Sequence, residues 1–204
     1  MKSSPESDKE AREVKEVLYV AHGRNLQEGI LNKLPLGKAL RVLAWVARFV
    51  VNSRQVGPKV TGPLLSEEIQ QQELLCIERA QTQASQQPNF NQEREQLGLW
   101  QFEGLWKCCG RIQGEYPIYV PDTSVLAVKL AEDSHMHTLH GGIGLTMADV
   151  RERFWIPRLR RLVKKVIKAC HGCKRFYALA LQVPAPGLLP KDRTEGIVPF
   201  NVLE

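Results

Sequence analysis

Three features of the sequence predict a mainly α chain. Helical apolar periodicity recurs in several segments, an aromatic, glycine-punctuated stretch lies between them, and His and Cys pairs flank the last helical segment. The expected architecture is a helical N-terminal segment over 1–96, then a small helical bundle preceded by a short β-hairpin over 97–183. The bundle's metal-clamped core is expected at 122–180, and a Pro/Gly-rich linker at 184–204.

Each element follows from local pattern. A helix is expected around Asp8–Val20. In "LGKALRVLAWVARFVVNSRQ", Leu36, Leu40, Leu43, Ala47 and Val50 repeat at helical spacing, with Val42, Val46 and Phe49 widening the stripe. "VGPKVTGP" breaks the chain. A second helix runs through "LLSEEIQQQELLCIERAQTQAS", with Ser66 as N-cap, Glu67 and Glu68 in the first turn, and Ile69, Leu74 and Ile77 as a loose stripe. The Gln-rich "QTQASQQPNFNQ" reads as a solvated loop. Strands are expected near Trp100–Phe102, Leu105–Ile112 and Tyr116–Val120. Trp100, Trp106 and Trp155 read as core side chains, Cys76 as a buried apolar filler, and Cys108 and Cys109 as strand positions.

Pro121-Asp122-Thr123 opens a helix through "SVLAVKLAEDSHMH" that Gly141-Gly142 ends. A short helix, "TMADVRERF", follows, with Thr146 and Asp149 in a capping-box arrangement. "WIP" breaks it. In "RLRRLVKKVIKAC" the apolar residues Leu159, Leu162, Val163, Val166 and Ile167 fall at i, i+3, i+4, i+7 and i+8. A last short helix is expected over "KRFYALAL".

Composition narrows the function classes. The chain has 204 residues and a formal net charge of +6. The basic charge is local: 146–177 holds ten Lys/Arg against Asp149 and Glu152, so the rest of the chain is weakly acidic. The polar N-terminus "MKSSPESDKEAREVK" has no apolar core of a signal peptide, and "VLAWVARFVV" carries Arg48 and falls short of the roughly 20 residues of a membrane span. The five cysteines, an odd number without secretory context, suit a reducing compartment. An intracellular protein is expected, not a secreted or membrane one.

The segment 135–175 holds four of the five histidines and a Cys-x-x-Cys pair. A structural Zn2+ takes four tetrahedral ligands from thiolate sulfur and imidazole nitrogen. Cys170 and Cys173 supply two, and the histidines at 135–140 are the remaining source. Bodies of this size often need a metal to supplement a small core. The spacing leaves two His pairs open. His135 and His140 are five apart, about 140° around a continuous helix, and converge only if the helix ends between them. His137 and His140 share a face if it continues. His171 points away and reads as a surface residue. A redox dithiol at Cys170/Cys173 is a competing reading, without the strand-to-helix setting that such pairs favour.

Between the pairs, Arg158, Arg160, Arg161, Lys164, Lys165 and Lys168 form a cationic face opposite the apolar stripe, continued by Lys174 and Arg175. Acidic partners at i±4 are missing, so this is not a self-neutralised surface. Such a face suits phosphate contacts with nucleic acid. A solubilising or protein-contacting face is the alternative.

At this point "LHGGIGLTMADVRERFWIPRLRRLVKKVIKACHGCKRF", with the His at 135, resembles the HHCC zinc-binding N-terminal domain of retroelement integrases, in particular the Pao/BEL group of LTR retrotransposons. "KALRVLAWVARFV", "GPLLSEEI", "ELLCIERAQ" and "LWKCCGRI" resemble the upstream tether of such polyproteins, and "PAPGLLPKDRTEGIVPF" the linker toward the catalytic domain. The resemblance implies a helix-turn-helix-like arrangement of the bundle, in a protein of a cytoplasmic particle or the nucleus, and one structural Zn2+ held by His135, His140, Cys170 and Cys173, favouring His135 over His137. It implies DNA, the element's ends, as partner, with integrase subunits or other polyprotein parts, and a possible homo-oligomer. The family's strand transfer uses an Asp, Asp, Glu triad on a separate domain that would follow Glu204. This chain is therefore expected to be a non-catalytic part of a polyprotein, with a zinc-stabilised protein-interaction module as the alternative.

Overall fold

The computed structural model describes residues 24–54, 59–109 and 116–176, together with Gly187. The expected helix at Asp8–Val20, the hairpin residues 110–115 and the linker's other positions lie outside these residues. The chain order is α1 (Arg24–Lys33), α2 (Leu36–Ser53), α3 (Ser66–Ser85), α4 (Phe90–Leu97), β1 (Leu99–Phe102), β2 (Leu105–Cys108), β3 (Ile118–Tyr119), α5 (Val125–His137), α6 (Gly142–Arg153), β4 (Phe154–Trp155), α7 (Leu159–Ala169) and α8 (His171–Phe176). The fold is mainly helical with one small sheet, as the sequence predicts.

Helix α2 forms where its stripe dictates: Leu36, Leu40, Leu43 and Ala47 are buried. Phe49, expected to widen that stripe, is instead 71% exposed, because it lies on the outer side of the helix with Trp45. Helix α3 begins at Ser66 itself, one residue earlier than an N-cap at Ser66 would place it. Leu65 is the capping position and its N–H donates to the Glu68 carboxylate, which also pairs with Arg48. Arg48 donates further to the carbonyls of Gly62 and Pro63, so the breaker segment is strapped onto α2.

The Gln-rich stretch is a solvated loop only over 86–89, an exposed turn between two helices. Helix α3 extends to Ser85 and α4 follows, and Gln81 is buried. Its amide donates to the carbonyls of Trp106 (3.0 Å) and Tyr119 (2.6 Å) and accepts from the Trp106 N–H (2.8 Å). Here a polar side chain does the work of a strand neighbour, satisfying backbone groups that burial would otherwise leave unpaired.

The sheet has the order β1-β2-β3-β4. The hairpin β1–β2 is antiparallel with Leu99 opposite Cys108, and Lys107 faces Ile118 on β3. The "WIP" break opens on a strand: β4 pairs in parallel with β3, matching Ile118 to Phe154 and Tyr119 to Trp155. Two residues are too short for a period-two signal, so this link between hairpin and bundle is invisible in the sequence. Trp100 is 65% exposed and not core, since it lies on the edge strand β1, where Phe102 is exposed as well. Trp106 is half-buried and meets Phe90 edge-on. Cys76 is the expected buried filler, and burial pushes its thiol up to about 11.

Helices α5, α6 and α7 each pack against the other two, and α8 against α7. Helix α5 also receives α1, α2 and α3. One apolar cluster accordingly runs from Leu31, Leu40, Leu43 and Ile77 through Leu126 and Leu130 to Val150, Leu159 and Val163. Among the described residues no helix is long and apolar enough to cross a membrane.

Candidate metal centre and cationic face

Helix α5 delivers the first His pair. Ser124 caps its start by accepting the Ala127 N–H, and the helix stops at His137. There the His140 N–H donates to the His135 carbonyl (3.0 Å) and the Leu139 N–H to that of Met136 (3.0 Å). This is the paired hydrogen-bond pattern of a helix ending in a left-handed residue. Leu139 and His140 both adopt positive φ, 50° and 62°, which folds His140 back over His135. The rings meet edge-on with centroids 4.7 Å apart. The five-residue spacing thus works because the helix ends between the two histidines. Gly141 is required just beyond: a Cβ there would lie 2.6 Å from Leu145 Cδ1 and 2.9 Å from the Thr138 carbonyl.

The second pair comes from the junction of α7 and α8. Cys170 ends α7, where its N–H still bonds the Val166 carbonyl, and Cys173 lies on α8. The four donor atoms of His135, His140, Cys170 and Cys173 lie within 4.8 Å of one another. His135 Nε2 is 3.0 Å from His140 Nδ1 and 3.3 Å from Cys173 Sγ. His140 Nδ1 is 3.4 Å from Cys170 Sγ and 3.6 Å from Cys173 Sγ. Around a tetrahedral Zn2+, usual bond lengths give edges of about 3.3 Å between nitrogens and about 3.6 Å between nitrogen and sulfur. The donor set fits the ion in type, number and spacing.

Electrostatics agree with that fit. The thiol of Cys170 is held below its ordinary value by the Cys173 N–H, with the Gly172 N–H assisting. Burial, then His140, pushes the His135 pKa down and keeps its ring neutral, the form that binds a metal. Burial raises the Cys173 thiol, so its thiolate depends on a cation nearby. His137 is no part of the cluster. It is exposed and its Nδ1 pairs with Asp149 at 2.8 Å, which raises its pKa. His171 is also exposed, as expected.

Residues 123–178 match the family described as integrase zinc binding domain. The match covers a minority of the chain and coincides with the segment from α5 to α8. No curated protein and no solved structure matches the chain. Family match and donor geometry together support one Zn2+ in this integrase-type domain.

Thr146 departs from its expected role as a cap. Helix α6 already starts at Gly142, so Thr146 lies inside it, fully buried. Its hydroxyl donates to the Gly142 carbonyl at 2.8 Å, and its oxygen faces His135 Nδ1 at 3.5 Å. Asp149 is likewise mid-helix and serves His137. Nothing in the spacing of Thr146 distinguished a neighbour of the centre from a cap.

The cationic face forms on α7 as expected. Leu159, Leu162, Val163 and Val166 are buried, whereas Arg160, Arg161, Lys164, Lys165 and Lys168 are exposed. At 100° per residue those five cations fill a continuous arc of about 140°. Among the described residues none of the five has an ion-pair partner. Arg158 differs: it precedes the helix with φ 52° and its guanidinium is bound by Asp122 at 2.8 Å. Arg158, Arg161, Lys165 and Lys168 line a groove of about 1000 Å3 with Asp122 and Thr123. Lys174 and Arg175 are exposed on α8.

Proposed function

We propose that this chain is a zinc-stabilised, nucleic-acid-binding module of a retrotransposon integrase of the Pao/BEL type. His135, His140, Cys170 and Cys173 ligate the ion, which ties the end of α5 to the α7–α8 junction. The single observation behind the nucleic-acid reading is the α7 arc of five cations that have no ion-pair partner among the described residues, backed by a buried apolar stripe that fixes which way it faces. Such a surface contacts phosphates and carries little base information. Arg158, Lys174 and Arg175 complete the contact set, with Arg158 contributing least because Asp122 already occupies it.

In this reading the module binds the element's DNA ends inside a cytoplasmic particle or the nucleus, associates with other integrase subunits, and leaves strand transfer to a separate Asp/Asp/Glu domain. The helical tether, hairpin-plus-zinc unit and linker divide it at about 96 and 183. Duplex DNA binding measured against salt tests the proposal. Each phosphate contact contributes about 0.9 to the slope of log K against log salt. The Arg160, Arg161, Lys164, Lys165 to Ala variant should flatten that slope and weaken binding at least tenfold, with its zinc retained. Unchanged binding would turn the reading to a protein-interaction module. Exposed Met136, Leu139 and Leu145 beside the His turn are what favour that second reading.

A further inference from the structure

We infer that Thr146 is a positioning residue for the metal centre, selecting which nitrogen of His135 is free to bind. The inference rests on the zinc reading above. An imidazole can present either nitrogen, and the one left as N–H is fixed by its partner. His135 is 2% exposed, so water does not make that choice. Thr146 is 0% exposed and is the protein group facing His135 Nδ1, at 3.5 Å. A threonine hydroxyl carries one proton. That proton is committed to the Gly142 carbonyl at 2.8 Å, so toward His135 the oxygen can only accept. His135 Nδ1 must then carry the hydrogen, and Nε2 keeps its lone pair. Nε2 is the nitrogen 3.0 Å from His140 Nδ1 and 3.3 Å from Cys173 Sγ.

The arrangement follows from the chain's local geometry. Gly142 has φ +83°, and it opens α6 one turn before Thr146. Its carbonyl therefore takes the hydroxyl proton by the ordinary i−4 back-bond of a helical threonine. Helix α6 packs on α5, which brings the remaining lone pair to the His135 ring. The chain thereby holds a metal-binding imidazole by its far nitrogen, using a neutral acceptor in place of a carboxylate.

The test compares zinc affinity, by competition with a chromophoric chelator, in the full chain and in Thr146→Val and Thr146→Ser. The isosteric valine should bind zinc about 10–100-fold more weakly, the range typical of lost partners behind a metal ligand. Serine should restore affinity to within about threefold of the parent, an estimate from its retained hydroxyl. Valine binding as tightly as the parent would overturn the positioning role while leaving the zinc site intact. A parent chain that binds no zinc would overturn both readings. Because Thr146→Val could fail to fold, nitrogen NMR of the zinc-loaded parent gives an independent readout. A proton on His135 Nδ1 with slow solvent exchange supports the inference, and a proton on Nε2 overturns it.

Discussion

Cys170 and His140 each sit where a helix ends, and that placement brings their donor atoms together. Cys170 sits where α7 ends, with its sulfur turned toward His140 and its thiol pKa lowered by backbone N–H groups. Cys170→Ser should abolish stoichiometric zinc in metal analysis, since a serine hydroxyl does not replace a thiolate at a tetrahedral site. Acid should act in the same direction. Protons compete for all four ligands, and His135, depressed below 6.5 by burial, resists protonation longer than an exposed histidine. Stability contributed by its neutral form is present above 6.5 and lost as pH falls through its lowered folded value. Zinc and helicity should disappear together as pH falls, as followed by a zinc indicator and circular dichroism. Cys170, Cys173 and a histidine pair within 135–140 were legible as candidate ligands because residue types and spacing are chemical constraints. The choice of His135 over His137 was not legible from spacing alone, because it depends on where α5 stops. Two left-handed residues, Leu139 and His140, decide that, and neither advertises itself as glycine would.

Elements whose role depends on a long apolar stripe were easiest to read. Helices α2 and α7 each present one, and both form over the expected residues. Substituting Leu43, fully buried in α2, by Ala should cost about 2–5 kcal/mol in denaturant unfolding, as for other cavity-forming changes. The junction of α2 and α3 makes a pH-dependent contribution. Arg48 holds the Glu68 carboxyl below its ordinary 4.5, first through their hydrogen bond. That stabilisation is present above 4.5 and is lost as pH falls through the lowered folded value. Glu68→Gln should thus melt earlier than the parent at pH 7, with the difference shrinking below pH 4.5. What escaped the sequence reading were elements too short for a period, β4 above all, and positions where polar side chains replace backbone partners. Gln81 looks like part of a soluble glutamine run, yet it bridges α3 to β2 and β3.

For the whole molecule, the zinc unit is joined to the upstream helices rather than merely following them. The core continues from α1–α3 into α5, β4 pairs with β3, and Arg153 on α6 pairs with Glu73 on α3 at 2.7 Å. Gln81→Leu should loosen this connection. It would leave buried backbone groups of Trp106 and Tyr119 without partners, at about 1–3 kcal/mol for such a group. Hydrogen exchange should report the loss at the hairpin before the bundle. In the proposed reading one ion folds the unit from α5 to α8 and thereby presents the cationic arc. The most direct test is metal analysis of the full chain, followed by chelation monitored by amide hydrogen exchange. The account predicts one zinc per chain, with chelation exposing the amides of α6, α7 and α8. A metal-free chain with those helices fully protected would contradict it.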